Sequence, residues 1–252
     1  MKRDKRGGRP LDELRPVKIE IGFQKFAEGS VLYSAGDTRV LVTASIDESV
    51  PEFLKGKGRG WLSAEYQMHP RANPDRRQNR DGRERPLGGR AREIQRLVGR
   101  ALRAAVHLDR LGERSVLIDC DVIEADGGTR TAAVTAGFIA VATALSGLGR
   151  EKTRGAPLLR DVVAAVSVGH VDDSMALDLC YAEDSSARVD LNLVATEQGR
   201  VVEIQGTAEG EAVERHEIDQ MLDLGLGGIK QLSLLQRAAL GEAGVDLERL
   251  MR

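Results

Sequence analysis

Aromatic residues make up only 3% of this 252-residue chain, so its core has to be built from Leu, Val, Ile and Ala. Cysteine is nearly absent. Cys120 and Cys180 each sit inside a strand-like apolar run, which reads as two small buried residues in a reducing, cytoplasmic setting. No Cys-x-x-Cys and no clustered Cys/His spacing occurs, which argues against a zinc site. There is no run of about 18 apolar residues, so no transmembrane helix is expected. The N-terminal Met1-Lys2-Arg3-Asp4-Lys5-Arg6-Gly7-Gly8-Arg9 is charged where a secretory leader is apolar. What remains is 41% hydrophobic and 30% charged, enough for one large domain or two small ones.

The formal net charge of −2 argues against a nucleic-acid binder, but the charge is unevenly distributed. From Arg71 to Arg103 there are eleven arginines, no lysine and four acids: Asp75, Asp81, Glu84 and Glu93. Such a stripe suits phosphates, and arginine rather than lysine favours bidentate contacts. The alternative is a solvated helix face with an attached loop.

Residues 1–16 read as an extended arm ending at Pro16. Strand patterns follow at Val17–Ile21, Ser30–Ser34, Arg39–Ser45 and Trp61–Tyr66. Residues 69–89, rich in Pro, Gly, Asn and Arg, read as a long functional loop. A helix begins near Arg90, with Ile94, Leu97, Val98, Ala101, Leu102 and Ala105 forming its buried stripe. An apolar strand at Val116–Ile123 leads to a small-residue helix at Ala132–Leu145. Further strands are expected at Val162–Val168, Ala176–Tyr181, Val189–Thr196 and Arg200–Gln205, then two helices at about 213–224 and 228–243. The two halves should pack as one α/β unit with mixed strands.

Two segments carry chemistry. Asp126-Gly127-Gly128-Thr129-Arg130-Thr131 joins strand to helix, so free backbone N–H groups, the helix dipole, a hydroxyl and a guanidinium converge on an anion. It is neither a Walker loop nor a G-x-G-x-x-G fingerprint. A phosphate there needs a second positive group, and Arg90, behind Gly88-Gly89, is the candidate. The other segment holds Asp178, Glu183, Asp184 and Asp190. Asp184 and Asp190 could share Mg²⁺ with substrate oxygens, or the acids could instead pair with arginines of the basic segment.

Together these residues resemble the ribonuclease PH family. The resemblance rests on Leu14-Arg15-Pro16, Gly29-Ser30-Val31, Gly60-Trp61-Leu62-Ser63-Ala64-Glu65-Tyr66, Gly89-Arg90 with Glu93–Arg100, Asp119–Ile123, Asp126–Thr131, Glu183–Ala187 and Glu203–Thr207. It runs in order from about residue 1 to 240. It implies one catalytic domain over 1–252 with a ribosomal-protein-S5-domain-2-like α+β fold, assembled as a hexameric ring, a trimer of dimers. The implied activity is phosphorolytic 3′→5′ trimming of tRNA precursors, a reversible nucleotidyl transfer with inorganic phosphate as co-substrate and nucleoside diphosphates as products. By the same resemblance Arg90, Gly128, Thr129 and Arg130 hold phosphate. Asp184 and Asp190 bind Mg²⁺ or Mn²⁺, and Arg71, Arg76 or Arg77, and Arg80 contact tRNA. An archaeal-type exosome ring subunit, catalytic or only RNA-binding, is the alternative. No general base is required, so His69, His107, His170 and His216 are read as structural. Tyr66 and Phe53 could stack bases, although single aromatics more often belong to the core.

Overall fold

The computed structural model describes residues 6–74, 77, 88–148 and 155–252. Among the described residues nine strands form two sheets. The first contains β1 (Val17–Ile21), β2 (Gly29–Ala35), β3 (Thr38–Asp47), β4 (Trp61–Met68) and β5 (Ser115–Glu124), in the order β1-β2-β3-β5-β4. Only β4 and β5 run parallel, because the helix α1 (Gly89–Ala105) lies between them in the chain. The second contains β6 (Val163–Val171), β7 (Ser174–Leu177), β8 (Val189–Thr196) and β9 (Val201–Ala208), antiparallel throughout in the order β7-β6-β8-β9. The remaining helices are α2 (Thr129–Ser146), the single turn α3 (Tyr181–Asp184), α4 (Arg215–Glu242) and α5 (Leu247–Met251). This is the mixed α+β class expected from the sequence.

Two kinds of helix follow from two kinds of pattern. In α1 the expected stripe, Ile94 to Ala105, is buried against the first sheet, while Arg90, Arg92, Arg96 and Arg100 are exposed and Arg103 folds back onto Trp61 and the Leu62 carbonyl of β4. In α2 nearly every side chain is apolar and small, so it has no solvent face. It packs on β2 and β3 of one sheet and on β6 of the other. It is long and apolar enough to cross a membrane by composition, yet 83% of it is buried inside the fold. Phe138 and Ile139 are fully enclosed there.

Three expectations are corrected. The two C-terminal helices are one 28-residue helix, α4. Two glycines at the expected gap between them are contact points: a Cβ on Gly225 would lie 2.8 Å from a methyl of Leu193, and one on Gly228 2.7 Å from a methyl of Leu177. They let α4 settle onto the second sheet. The strand expected at Ala176–Tyr181 ends at Leu177, because Asp178 turns at φ 53. Cys180 therefore caps α3 and is half-buried, unlike Cys120, which is enclosed in β5.

Replacing Phe138 by Ala should cost about 3–5 kcal/mol in urea unfolding. A loss below 1 kcal/mol, about what a surface substitution gives, would mean that α2 is not the centre of the core.

Candidate active site

The turn before α2 is shaped by its two glycines. Gly127 (φ 75) and Gly128 (φ 63) are both left-handed, so the chain reverses within them. Helix α2 starts at Thr129, three residues earlier than its apolar pattern suggests, with Gly128 as N-cap. Its first internal bond runs from the Ala132 amide to the Gly128 carbonyl, at 2.9 Å. The amides of Thr129, Arg130 and Thr131 therefore have no acceptor within the helix. Thr38, fully buried, braces the turn by accepting from the Asp126 amide (2.9 Å) and donating to the Gly127 carbonyl (2.7 Å).

Arg15 anchors the same turn from the other side. It donates from Nη1 to the Asp126 carbonyl (2.6 Å) and grips Asp178 with Nε (3.1 Å), Nη2 (2.7 Å) and its own backbone amide (2.8 Å). Both side chains are buried, at 6% and 9% exposure. Burial opposes the charge on Arg15, but Asp178 more than offsets it, and the guanidinium pKa is raised. Neither contact was anticipated from sequence; an Arg-Pro before a strand and an Asp after one carry no signal of their pairing.

The predicted phosphate residues come together. The Thr129 hydroxyl bonds the Tyr66 hydroxyl at 2.9 Å, so Tyr66 is a core residue with a polar tip in the site. Burial raises the Tyr66 pKa, opposed by its bond with Thr129 and by the charges of Arg90 and Arg130. Arg130 is steadied by Gln205 Oε1 (3.1 Å) and Glu93 Oε1 (3.4 Å), from β9 and α1. Arg90 is exposed at the start of α1. Arg71, Arg90, Gly128, Thr129 and Asp184 all line one cleft of about 1070 Å³.

The four acids divide into two pairs. Asp178 is saturated by Arg15, and Glu183 by Arg6 and Arg9. Their partners come from the N-terminal arm, not from the basic segment. Asp184 and Asp190 have no cation within ion-pair distance among the described residues. Burial raises Asp184, while Arg130 and Arg90 oppose the rise. Burial, then the neighbouring charge of Asp184, pushes Asp190 up to about 6 against the pull of Arg130, the Asn192 amide and Arg90. A half-buried pair of carboxylates whose ionisation is disfavoured by burial, and at Asp190 also by Asp184, fits a hard divalent cation completed by waters or phosphate oxygens. Among the described residues no group of three or more His, Cys, Asp or Glu gathers, so an all-protein cage is not built.

Of the expected RNA contacts, Arg71 borders the cleft and bonds the Pro74 carbonyl at 3.2 Å. Arg77 is exposed, and Arg76 and Arg80 lie outside the described residues. Phe53 is 58% exposed and meets the Trp61 ring edge-on at 5.5 Å, away from the cleft.

Comparison with known proteins fits this geometry. Residues 13–145 match the model of the 3′ exoribonuclease family, domain 1, and residues 161–228 match domain 2 of the same family. The chain belongs to the 3′ exoribonuclease family. Its relatives include the ribonuclease PH of Moorella thermoacetica, 52% identical over 93% of this chain and 94% of that protein. Among solved structures, rice (Oryza sativa) Rrp46 superposes with a TM-score of 0.75 at 17% identity, covering 93% of this chain and 99% of that one. A chain of the Archaeoglobus fulgidus exosome with RNA bound to the active site gives 0.72 at 24% identity, covering 90% of each chain. These two likenesses are of fold alone.

A Cβ on Gly127 would fall 2.6 Å from the Leu179 carbonyl and 2.8 Å from the Tyr181 amide. The Gly127-Gly128 turn and the carboxylate segment thus touch through a missing side chain. Gly127→Ala should lower kcat/KM by about 100-fold, the effect of roughly 1 Å of misplacement; wild-type turnover would refute this contact. Asp190→Asn tests the electrostatics. A raised carboxyl pKa means that the ionised form weakens the fold above pH 6 and that the effect vanishes below the unfolded value of about 3.9. In metal-free buffer at pH 7.5 the variant should melt about 2–4 °C higher, the equivalent of roughly 1 kcal/mol after screening. At pH 3.5 the two proteins should match; a lower Tm at pH 7.5 would reverse the sign.

Proposed function

We propose the following roles within a phosphorolytic 3′→5′ exoribonuclease. The activity follows from the family and from the 52% identity with a ribonuclease PH; the roles are supported by Arg90, Gly128, Thr129 and Asp184 lining one cleft, with the charge of Arg130 felt at Asp184 and Asp190. Arg90, Arg130, the Thr129 hydroxyl and the free amides of α2 hold inorganic phosphate. They offset repulsion between this anion and the RNA backbone and aim one of its oxygens at the last phosphodiester. That oxygen bonds to the terminal phosphorus, the bond to the upstream O3′ breaks, and the phosphate's own proton ends on the released 3′-hydroxyl. The product is a nucleoside diphosphate, and no side-chain base is needed.

Asp184 and Asp190 would hold Mg²⁺ or Mn²⁺, which supplies neutralisation of charge at the reacting phosphorus and departing oxygen. Arg71, Arg76 or Arg77, and Arg80 would bind the body of a tRNA precursor, and Arg71 at the cleft rim supports this path. Assembly as a homo-hexameric ring in the cytoplasm completes the reading.

One observation carries it. Two of the four acids are consumed by arginines of the N-terminal arm, and the two left over feel the charges of Arg130 in the anion turn and Arg90 in α1. The test is a product assay with a 3′-extended tRNA, divalent metal, and phosphate present or absent. Diphosphates should appear only with phosphate; monophosphates in its absence would mean hydrolysis. Arg130→Ala should raise KM for phosphate by at least about tenfold, the loss of one charge-assisted bond. Unchanged phosphate dependence would remove Arg130 from the site.

A further inference from the structure

The N-terminal arm has no part in these roles, yet its arginines converge beside Asp184. Arg6 donates from Nη1 to Glu183 Oε1 and from Nη2 to the Leu177 carbonyl, both at 2.7 Å. Arg9 donates from Nη2 to the Asp178 carbonyl (2.8 Å) and to Glu183 Oε2 (3.3 Å). The Cys180 amide gives Oε2 a further donor at 3.0 Å. Arg6, Arg9 and Glu183 side chains are only 8%, 12% and 3% exposed. The Leu177 amide also bonds the Leu11 carbonyl at 2.7 Å, which lays the arm along the end of β7.

These bonds bracket α3, which has only four residues. So short a helix cannot hold its own orientation, because nucleation costs more than one turn returns. Its direction must come from outside. Successive residues of a helix point about 100° apart, so locking Glu183 inward turns Asp184 outward. Asp184 then faces the cleft and Asp190.

We infer that Arg6 and Arg9 are positioning residues that, through Glu183 and the carbonyls of Leu177 and Asp178, aim the Asp184 carboxylate and thereby set the affinity of the site for a divalent cation. The inference rests on Asp184 and Asp190 being the metal pair. Hydrogen-bonded partners behind a ligand commonly govern metal affinity by 10–100-fold.

The experiment titrates the metal-stripped full chain with Mn²⁺, reading free Mn²⁺ by electron paramagnetic resonance. Arg6→Ala/Arg9→Ala should weaken Mn²⁺ binding by about tenfold. KM for inorganic phosphate at saturating Mn²⁺ should stay within about twofold, which general damage to the cleft would not allow. Arg6→Lys/Arg9→Lys, which keeps the charge without the fork, should fall between. Asp184→Asn should abolish binding at the pair. Wild-type Mn²⁺ affinity in the Ala double variant, with binding lost in Asp184→Asn, would overturn the positioning role and leave the metal pair standing. Wild-type affinity in Asp184→Asn would overturn the metal pair itself. Should the double variant not fold, Arg6→Ala alone carries the same test, and an unchanged Kd in that folded protein would equally overturn the role.

Discussion

The buried pair of Arg15 and Asp178 is the constraint on which the site depends. Arg15 precedes β1 of the first sheet, Asp178 follows β7 of the second, and the Asp126 carbonyl between them opens the turn into α2. Both partners sacrifice hydration, so the pair is no guarantee of net stability. Its effect is geometric. Three hydrogen bonds to one carboxylate and a fourth to a carbonyl leave little freedom between the two sheets at the point where the cleft opens. Loss of either partner alone would leave the other as an uncompensated buried charge.

That constraint explains why neighbouring acids behave so differently. Asp178 and Glu183 sit inside rings of donors supplied by Arg15, Arg6, Arg9 and backbone amides. Asp184, next to Glu183 in sequence, is turned away from the arm and shares its surroundings with Asp190. The field from Arg90 and Arg130 only partly offsets the burial of the two carboxylates and the charge of Asp184 on Asp190. A site that is electrostatically unhappy when empty is well suited to a positively charged occupant.

Much of this was legible from the chain. The stripe from Ile94 to Ala105 reported a helix whose burial is set by local periodicity, and the alternation in Val17–Ile21 reported a strand, one whose apolar residues are only partly buried. The Gly127-Gly128 turn was visible because few other sequences place two left-handed residues before a helix. Residues 224–228 misled because glycine serves as breaker and as close-packing residue alike, and only the partner, Leu193 or Leu177, distinguishes the two. Arg15, Arg6 and Arg9 were unreadable for a related reason. Their partners lie more than 150 residues away, and a charged residue in a polar-looking arm gives no sign that it will be buried.

Helix α2 has a consequence for how the chain is made. It follows the first sheet in sequence and precedes the second, but its apolar surface is shared between them. As the polypeptide emerges from the ribosome, residues 17–146 can assemble the first sheet against one side of α2 while the strands that cover the other side are still to be synthesised. For that interval a strip of Ala, Val and Ile faces solvent. At translation rates of about 5–20 residues per second, the sixty or so residues through β9 leave it bare for several seconds. The nascent chain is therefore most exposed to misassociation, and most in need of chaperone cover, midway through its synthesis rather than at either end.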